Sequence, residues 1–291
     1  MRKEKTKYSR LDDLVLLTKA RLSFMVLMTT FVGFFLATKG KADWVLFFNT
    51  VLGTSLAAFG AAVLNQYLEI DTDALMVRTQ NRPLPARRTS PRQALLLGIG
   101  LSLGGSLYLI ITVNWLTGAL ALTTLATYLF LYTPLKRKTY LCTYVGAIPG
   151  AIPPMMGWTA VRGSLDAPAW VLFAILFLWQ LPHFFAIAWL YREDFEKAGL
   201  PMLPVVDKKG FRLCATILTF NVLLTWLTTL PTAMGLTGAL YMSSALVLGS
   251  LFLVMGIWFS FEKTQKTARI LFFASILYLP LLLGMMVMDK T

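Results

Sequence analysis

The chain of 291 residues is 57% hydrophobic and only 14% charged, with a mean hydropathy of +0.66. Soluble domains have about 25% charged residues, so this composition excludes a soluble enzyme, a disordered chain and a nucleic-acid-binding module. The formal net charge is +13. In a membrane protein, such an excess of Lys and Arg is first compared with the side of the membrane on which each loop lies.

Nine apolar runs are long enough to cross a bilayer, which takes about 20 residues per helix. They are residues 22–38, 44–68, 93–113, 115–133, 140–160, 168–191, 213–231, 236–258 and 268–287. The runs predict an all-α fold, a polytopic membrane helix bundle of nine transmembrane helices that forms one domain over residues 1–291. A basic segment, residues 1–21, precedes the first run.

The connections between the runs differ sharply in charge. If the N-terminus is cytoplasmic, 23 of the 27 basic residues lie on the cytoplasmic side and 4 outside, as the positive-inside rule requires. The sequence therefore predicts a multi-pass protein of the cell (inner) membrane, surrounded by lipid and with a cytoplasmic N-terminus. Topology accounts for the basic excess without a nucleic-acid partner.

The first long cytoplasmic connection begins with an acidic cluster. Asn65, Glu69 and Asp73 are spaced four apart, so on a helix they lie on one face. Two carboxylates on one face repel each other unless a cation lies between them, and Mg²⁺ is commonly held by one or two carboxylates together with substrate phosphates. Arg78 and Arg82 follow, and they can bind phosphate oxygens through charge-assisted hydrogen bonds.

A simpler interpretation of this segment is a solvated, mixed-charge loop that caps a helix end. Asn65 and Glu69 argue against it, because they adjoin an apolar run, where polar groups are costly and usually functional.

The second long cytoplasmic connection also begins with acids, Glu193 and Asp194, and continues through Lys197 to Pro201 and Pro204. Two acidic clusters on one side of the membrane, each followed by basic residues and a proline-rich turn, predict two Mg²⁺-binding edges that face one diphosphate. Long loops of this kind carry function more often than short ones.

The segment from Asn65 to Asp73 resembles the NxxxDxxxD motif of the UbiA superfamily of intramembrane prenyltransferases. Three longer strings resemble the heme-farnesylating branch of that superfamily: DxDxxMxRTxxRPL at residues 71–84, YTxLKRxT with GAIPGAIPPMMGW at 132–158, and LWQLPHFFAIA with DFEKAGLPMLPV at 178–205. Glu69 departs from the pattern, which has Asp at this position. Glu keeps the charge with a longer reach.

The resemblance implies a reaction in which farnesyl diphosphate, heme b and water give heme O and diphosphate, with Mg²⁺ as the cofactor. A terminal oxidase is then a candidate assembly partner. Two alternatives remain: a different aromatic or tetrapyrrole acceptor, and a secondary transporter. A transporter more often places its charged residues at the bilayer midplane, whereas here the acids gather at one membrane face.

The resemblance also implies roles for particular residues. The metal ligands would be Glu69, Asp71, Asp73, Glu193 and Asp194. Asn65 would support the site by hydrogen bonding. The diphosphate would be bound by Arg78, Arg82, Lys136 and Arg137, although the last two residues are equally explained as positive-inside anchors. Tyr132 and Trp179 would line the farnesyl pocket, although any one aromatic among 38 is more often packing or part of the interfacial belt.

His183, the only histidine, lies in an apolar run. It is expected to contact the porphyrin or its iron, since intramembrane ionisable groups are usually functional. The alternative is a polar side chain that is satisfied within the bundle. The Gly- and Pro-rich segment from Gly146 to Gly157 likewise has two interpretations: close helix packing, or a kink that widens a pocket for a flat macrocycle.

Overall fold

The structure, a computed structural model, describes residues 9–291. The first eight residues of the predicted basic N-terminal segment lie outside the described residues. Between residues 9 and 291 the chain folds into sixteen α-helices and one π-helical segment, and Thr237 and Lys290 form an isolated β-bridge. The predicted all-α fold is confirmed.

Most helices follow one another through short connections, and the longest connection within residues 9–291, residues 76–90, joins α4 to α5. The first half contains α1 (Arg10–Leu17), α2 (Ala20–Ala37), α3 (Trp44–Leu68), α4 (Ile70–Leu75), α5 (Pro91–Thr112), α6 (Trp115–Ala126), the π-helix (Thr127–Tyr132), α7 (Thr133–Leu135), α8 (Cys142–Ala151) and α9 (Pro153–Arg162). The second half contains α10 (Ala167–Leu190), α11 (Arg192–Lys197), α12 (Leu203–Val206), α13 (Phe211–Leu227), α14 (Leu230–Ala233), α15 (Ala239–Glu262) and α16 (Gln265–Met288).

Within residues 9–291, eight helical segments are long and apolar enough to cross a membrane. They correspond to eight of the nine predicted runs, and α3 has the predicted bounds, Trp44–Leu68. The predicted run 140–160 is instead divided into α8 and α9, of ten residues each. A count of nine spanning helices therefore remains a prediction.

The division of that run follows from its prolines. Pro153 and Pro154 have no backbone N–H to donate to the preceding turn, and α9 begins with them directly after Ile152. Pro149 lies inside α8. A broken helix at membrane depth is tolerated where neighbouring protein surrounds it, and residues 151–160 are all buried.

The outer surface of the helices is apolar. Phe130, Phe211 and Phe261 expose 74%, 78% and 83% of their surfaces, and many exposed Leu, Ile and Val side chains accompany them. Large exposed apolar areas mark contact with lipid or another partner, and here they cover helices of membrane-spanning length. The protein is an integral membrane protein.

One end of the bundle carries the polar connections. We call residues 69–90, 136–141 and 191–210 the polar end. Contacts across these connections hold them together: Lys136 binds Glu69, and the backbone N–H of Arg78 donates to Asp194. Both long connections that the sequence singles out therefore meet at one end of the bundle.

Glycines bring α2 and α9 close together. A Cβ atom on Gly157 would lie 1.9 Å from the carbonyl oxygen of Thr30, and one on Gly33 would lie 1.9 Å from that of Pro154. Small residues allow this approach between membrane helices. For Gly157, close packing is thus the interpretation that the structure supports.

We predict that Gly157→Ala destabilises the protein by about 1–3 kcal/mol, the usual cost of overpacking, because the backbone carbonyl of Thr30 cannot move aside. Gly104→Ala is the matched control, since among residues 9–291 no atom outside its own stretch of helix lies within 4 Å of the added methyl group. Thermal unfolding in detergent should show a lower midpoint for Gly157→Ala only. Equal midpoints for the two variants would refute the close packing of α2 and α9.

Candidate active site

Three acceptor side chains form a line where α3 meets α4. The backbone N–H of Glu69 donates to the carbonyl of Asn65 at 3.0 Å, and that of Asp73 donates to the carbonyl of Glu69 at 2.8 Å. The helical repeat therefore continues across the junction and keeps the three residues on one face. Asn65, Glu69 and Asp73 are 2%, 4% and 0% exposed. The predicted spacing on one face is thus present in the structure, and the face is buried.

Each member of this line is paired with a different cation. Lys19 Nζ donates to Asn65 Oδ1 at 2.8 Å, and Lys136 Nζ donates to Glu69 Oε1 at 3.0 Å. Buried charges are tolerated when they are paired and hydrogen-bonded.

The third pair closes the line. Arg82 Nη1 donates to Asp73 Oδ2 at 2.6 Å. We call the three acceptors and their three cations the ion-pair line: Asn65, Glu69 and Asp73 with Lys19, Lys136 and Arg82. It contains two ion pairs, Glu69–Lys136 and Asp73–Arg82, and one hydrogen bond from Lys19 to the neutral amide of Asn65.

The pKa values of Lys19 and Glu69 reflect this arrangement. Burial, reinforced by the charge of Arg82, lowers the pKa of Lys19 to about 8, against the opposing effect of Glu69. Burial alone would raise the pKa of Glu69, but the charges of Lys136 and Lys19 outweigh it, so that the pKa is lowered. Glu69 is therefore an anion at neutral pH.

Lys19 reaches the site because α1 is held against α3. Lys19 lies between α1 and α2 with a φ of 47°, in the left-handed region. Gln66 Nε2 donates to the carbonyls of Leu16 and Leu17 at 2.9 and 2.8 Å, which satisfies the end of α1. The sequence did not single out Lys19, because a lysine just before the first apolar run is also what the positive-inside rule predicts.

The π-helix precedes Lys136, which lies just beyond α7. Thr133 Oγ1 donates to the carbonyl of Tyr128 at 2.9 Å and accepts from Asn65 Nδ2 at 3.3 Å. The rings of Tyr128 and Tyr132 stack at 5.5 Å between centroids, with 6° between their planes. π-Helical turns occur frequently at functional sites. Nothing in the apolar pattern of this run distinguishes a π-helix from an α-helix.

Asp73 has one carboxylate oxygen to spare. Its Oδ2 binds Arg82, but its Oδ1 is buried and has no hydrogen-bond partner among residues 9–291. A buried acceptor without a partner costs about 1–3 kcal/mol. This oxygen is thus placed to accept from a bound ligand or to coordinate a cation.

Arg78 and Asp194 join the two acidic clusters. The backbone N–H of Arg78 donates to Asp194 Oδ2 at 3.4 Å. Its guanidinium lies over the rings of Tyr191 and Phe195, at 4.9 and 4.8 Å from their centroids. Desolvation and the charge of Arg82 lower the pKa of Arg78, against the opposing charge of Asp73. The guanidinium therefore lies in the field of the ion-pair line.

Three other predicted residues lie outside the ion-pair line, at the exposed surface where Arg78 also lies. Asp71, Glu193 and Arg137 are exposed, and Arg137 Nη2 donates to the carbonyl of Leu68 at 3.3 Å. Glu193 lines a surface cavity of about 320 Å³ together with Arg192 and Lys208. Within residues 9–291, no three His, Cys, Asp or Glu side chains are grouped closely enough to form a metal site by themselves.

Comparison of the sequence with known proteins identifies its family. The profile of the UbiA prenyltransferase family matches residues 26–277. The chain belongs to this family. It is 43% identical, over 96% of its length and 98% of the relative, to a protein of Solibacter usitatus named protoheme IX farnesyltransferase. It is 42% identical, over 97% of its length and 94% of the relative, to a protein of Koribacter versatilis with the same name.

Solved structures of UbiA-type proteins share the fold. A digeranylgeranylglyceryl phosphate synthase superposes with a TM-score of 0.78 over 96% of this chain and 98% of its own, at 17% identity. A UbiA homologue from Archaeoglobus fulgidus, described as bound to GPP and Mg²⁺, has a TM-score of 0.65 over 94% of this chain and 99% of its own, at 15% identity.

His183 and Trp179 form a group of their own in this UbiA-family chain. Both lie on α10, where their rings stack on each other. Both also bind α16: Trp179 Nε1 donates to the carbonyl of Ser275 at 2.9 Å and His183 binds the Ser275 hydroxyl. Their hydrogen bonds and ring contacts do not include the ion-pair line. The structure therefore separates the predicted site residues into a polar group and an aromatic group deeper in the bundle.

The Glu69–Lys136 pair should be strongly coupled. Lys136→Met leaves a buried carboxylate without its cation and should cost about 3–5 kcal/mol. Adding Glu69→Gln should recover much of that loss. A double-mutant cycle on unfolding in detergent measures this coupling.

The control cycle uses the exposed pair Lys208–Glu196, whose N and O atoms are 3.6 Å apart. Its coupling should not exceed about 1 kcal/mol. Coupling at Glu69–Lys136 as small as at the exposed pair would show that the buried pair does not form.

Proposed function

We propose that the chain transfers the farnesyl group of farnesyl diphosphate to a vinyl group of heme b, with water, to give heme O and diphosphate. The observation that carries this proposal is the buried ion-pair line with the spare oxygen of Asp73, in a chain 43% identical to a protein named protoheme IX farnesyltransferase. In the reaction, the vinyl carbon bonds to C1 of the farnesyl group as the C1–O bond to diphosphate breaks. Water then bonds to the other vinyl carbon and loses a proton.

A divalent metal ion, Mg²⁺, fits the donors at the polar end. Asp73 Oδ1 is a buried oxygen without a partner, and Asp194 stands across the site on the second loop. Glu69 is ionised, and Asp71 and Glu193 are exposed at the edge. When bound, Mg²⁺ neutralises the leaving diphosphate. Mg²⁺ usually takes only one or two carboxylates and completes its shell with phosphate oxygens and water, in keeping with the small number of grouped acids.

The cations hold the diphosphate. Arg78 and Arg82 flank the site from residues 76–90, and Lys136 approaches from α7. We add Lys19 to the proposed diphosphate-binding cations because it binds Asn65 in the ion-pair line, whereas exposed Arg137 lies at the periphery. Ionisation of an allylic diphosphate places negative charge on the leaving group, and positioned cations stabilise that charge in the transition state. Asn65 positions Lys19 and Thr133, since both ends of its amide are hydrogen-bonded within the protein.

The aromatic groups suit the apolar parts of the substrates. The Tyr128–Tyr132 stack lies on the π-helix just before Lys136, and aromatic faces stabilise a cation such as the farnesyl group as it separates from diphosphate. Tyr132 and Trp179 line the pocket for the farnesyl group, and His183, which stacks on Trp179, contacts the porphyrin or its iron deeper in the bundle.

The polar end lies on the cytoplasmic side of the cell (inner) membrane. The charge distribution supports this orientation, since 23 of the 27 basic residues lie in five segments on this side: residues 2–21, 78–92, 136–138, 192–212 and 263–269. A terminal oxidase, which uses heme groups, is a candidate partner for product transfer.

Asp73→Asn should lower heme O formation at least about 100-fold, the scale for losing one group that stabilises developing charge. Membranes that contain the chain are incubated with farnesyl diphosphate, Mg²⁺ and heme b, and the products are measured by mass spectrometry. Glu196→Gln, an exposed acid at the same end, is the matched control and should keep wild-type activity. Size-exclusion profiles in detergent check folding.

Full activity of Asp73→Asn would refute the site assignment. If wild-type membranes made no heme O but prenylated another aromatic or tetrapyrrole acceptor, the proposed acceptor would be wrong while the site assignment stood.

A further inference from the structure

The imidazole of His183 lies among three aromatic rings, of which Phe184 is tilted, at 5.7 Å between centroids. Trp179 stacks on the imidazole at 5.1 Å between centroids and 19° between planes, and Phe272 stacks at 5.2 Å and 27°. These rings hold the orientation of the imidazole. An iron atom binds an imidazole nitrogen through the lone pair in the ring plane, so such a ligand approaches the ring at its edge.

One edge of the ring is tied to Ser275. His183 Nδ1 lies 2.7 Å from Ser275 Oγ, and Ser275 Oγ donates its own hydrogen to the carbonyl of Phe272 at 2.6 Å. A hydroxyl has one hydrogen to donate. Because that hydrogen is used on Phe272, Nδ1 must carry the hydrogen of the His183–Ser275 bond.

The other edge is therefore an unprotonated nitrogen. With the hydrogen on Nδ1, a neutral imidazole has its lone pair on Nε2. Nε2 has no hydrogen-bond partner among residues 9–291 and is not among their enclosed unpartnered atoms. His183 is half-buried, and Nε2 points its lone pair in the ring plane, the direction that a metal–imidazole bond requires.

The position along α10 also suits a substrate in the apolar interior. His183 lies seven residues before Leu190, the last residue of α10, which is about 10 Å along the axis at 1.5 Å per residue. Trp179 Nε1 donates to the carbonyl of Ser275 at 2.9 Å. This bond fixes Ser275 in register with the histidine.

We infer that Ser275 is a positioning residue that fixes the Nδ1–H tautomer of His183 and so presents Nε2 as the axial ligand of the heme b iron. This inference rests on the proposed function. The hydroxyl of Ser275, which itself donates to the carbonyl of Phe272, accepts the Nδ1–H hydrogen bond that a carboxylate or a backbone carbonyl accepts from many other metal-bound histidines. Loss of such a partner typically weakens metal binding 10–100-fold.

The test is a titration of the purified protein in detergent with ferric heme b, followed by absorption and electron paramagnetic resonance spectra. Wild-type protein should give the spectrum of nitrogen-ligated iron, and His183→Ala should lose it. Ser275→Ala should bind heme about 10–100-fold more weakly and with a changed spectrum, whereas Ser275→Thr, which keeps the hydroxyl, should restore both.

Ser106→Ala is the matched control. Ser106 is a buried serine on α5 whose hydroxyl also donates to a backbone carbonyl, that of Ser102 at 2.9 Å. This variant should bind heme as the wild type does. It reports any general cost of removing a buried hydroxyl.

Unchanged heme affinity and spectrum in Ser275→Ala would overturn the inference, and so would an unchanged nitrogen-ligated spectrum in His183→Ala. Formation of heme O is measured in parallel. If the wild type makes heme O and the spectra of Ser275→Ala equal those of the wild type, only the role of Ser275 is refuted and the proposed function stands. Histidine-ligated heme in a wild-type protein that makes no heme O would instead refute the proposed function.

Discussion

The burial of two carboxylates and an amide on one helical line is the constraint around which the polar end is built. Glu69 and Asp73 are almost fully enclosed and four residues apart, so without compensation each would raise the cost of ionising the other. A buried charge is tolerated only when it is paired and hydrogen-bonded. The chain meets this requirement with Lys136 and Arg82, and Lys19 completes the line by binding Asn65.

These pairings explain why distant parts of the chain converge. The bond from Lys19 to Asn65 holds the α1–α2 junction against α3. The Lys136–Glu69 pair connects the segment after the π-helix to the start of α4, and the Arg82–Asp73 pair connects residues 76–90 to α4. Arg78 then links this group to Asp194 on the second loop. The cations that would receive a diphosphate are thus in place before any substrate binds, which lowers the reorganisation needed in the reaction.

Much of the fold could be predicted from the sequence because hydropathy is a local property. The apolar run from Trp44 to Leu68 coincides with α3, and the spacing of Asn65, Glu69 and Asp73 correctly placed them on one face. The two acidic clusters were correctly expected at the same end, because the distribution of Lys and Arg distinguishes the two ends of the bundle.

The remaining features depend on contacts between residues far apart in sequence. Lys19 resembles any basic residue that precedes a membrane helix until its 2.8 Å bond to Asn65 is seen. The proline-rich run did not reveal where its helix divides, and the tautomer of His183 depends on Ser275, 92 positions later. A local pattern does not contain such pairings, nor does it distinguish the π-helix before Lys136.

We propose that protein cations neutralise the buried carboxylates until a diphosphate arrives, and that the metal ion then binds together with the substrate. Calorimetric titration of the protein with Mg²⁺, with and without a non-reactive thio analogue of farnesyl diphosphate, tests this claim most directly. We expect strong Mg²⁺ binding only when the analogue is present, and loss of that binding in Asp73→Asn. Equally strong Mg²⁺ binding without the analogue would show that the metal ion binds independently of the substrate, against this proposal.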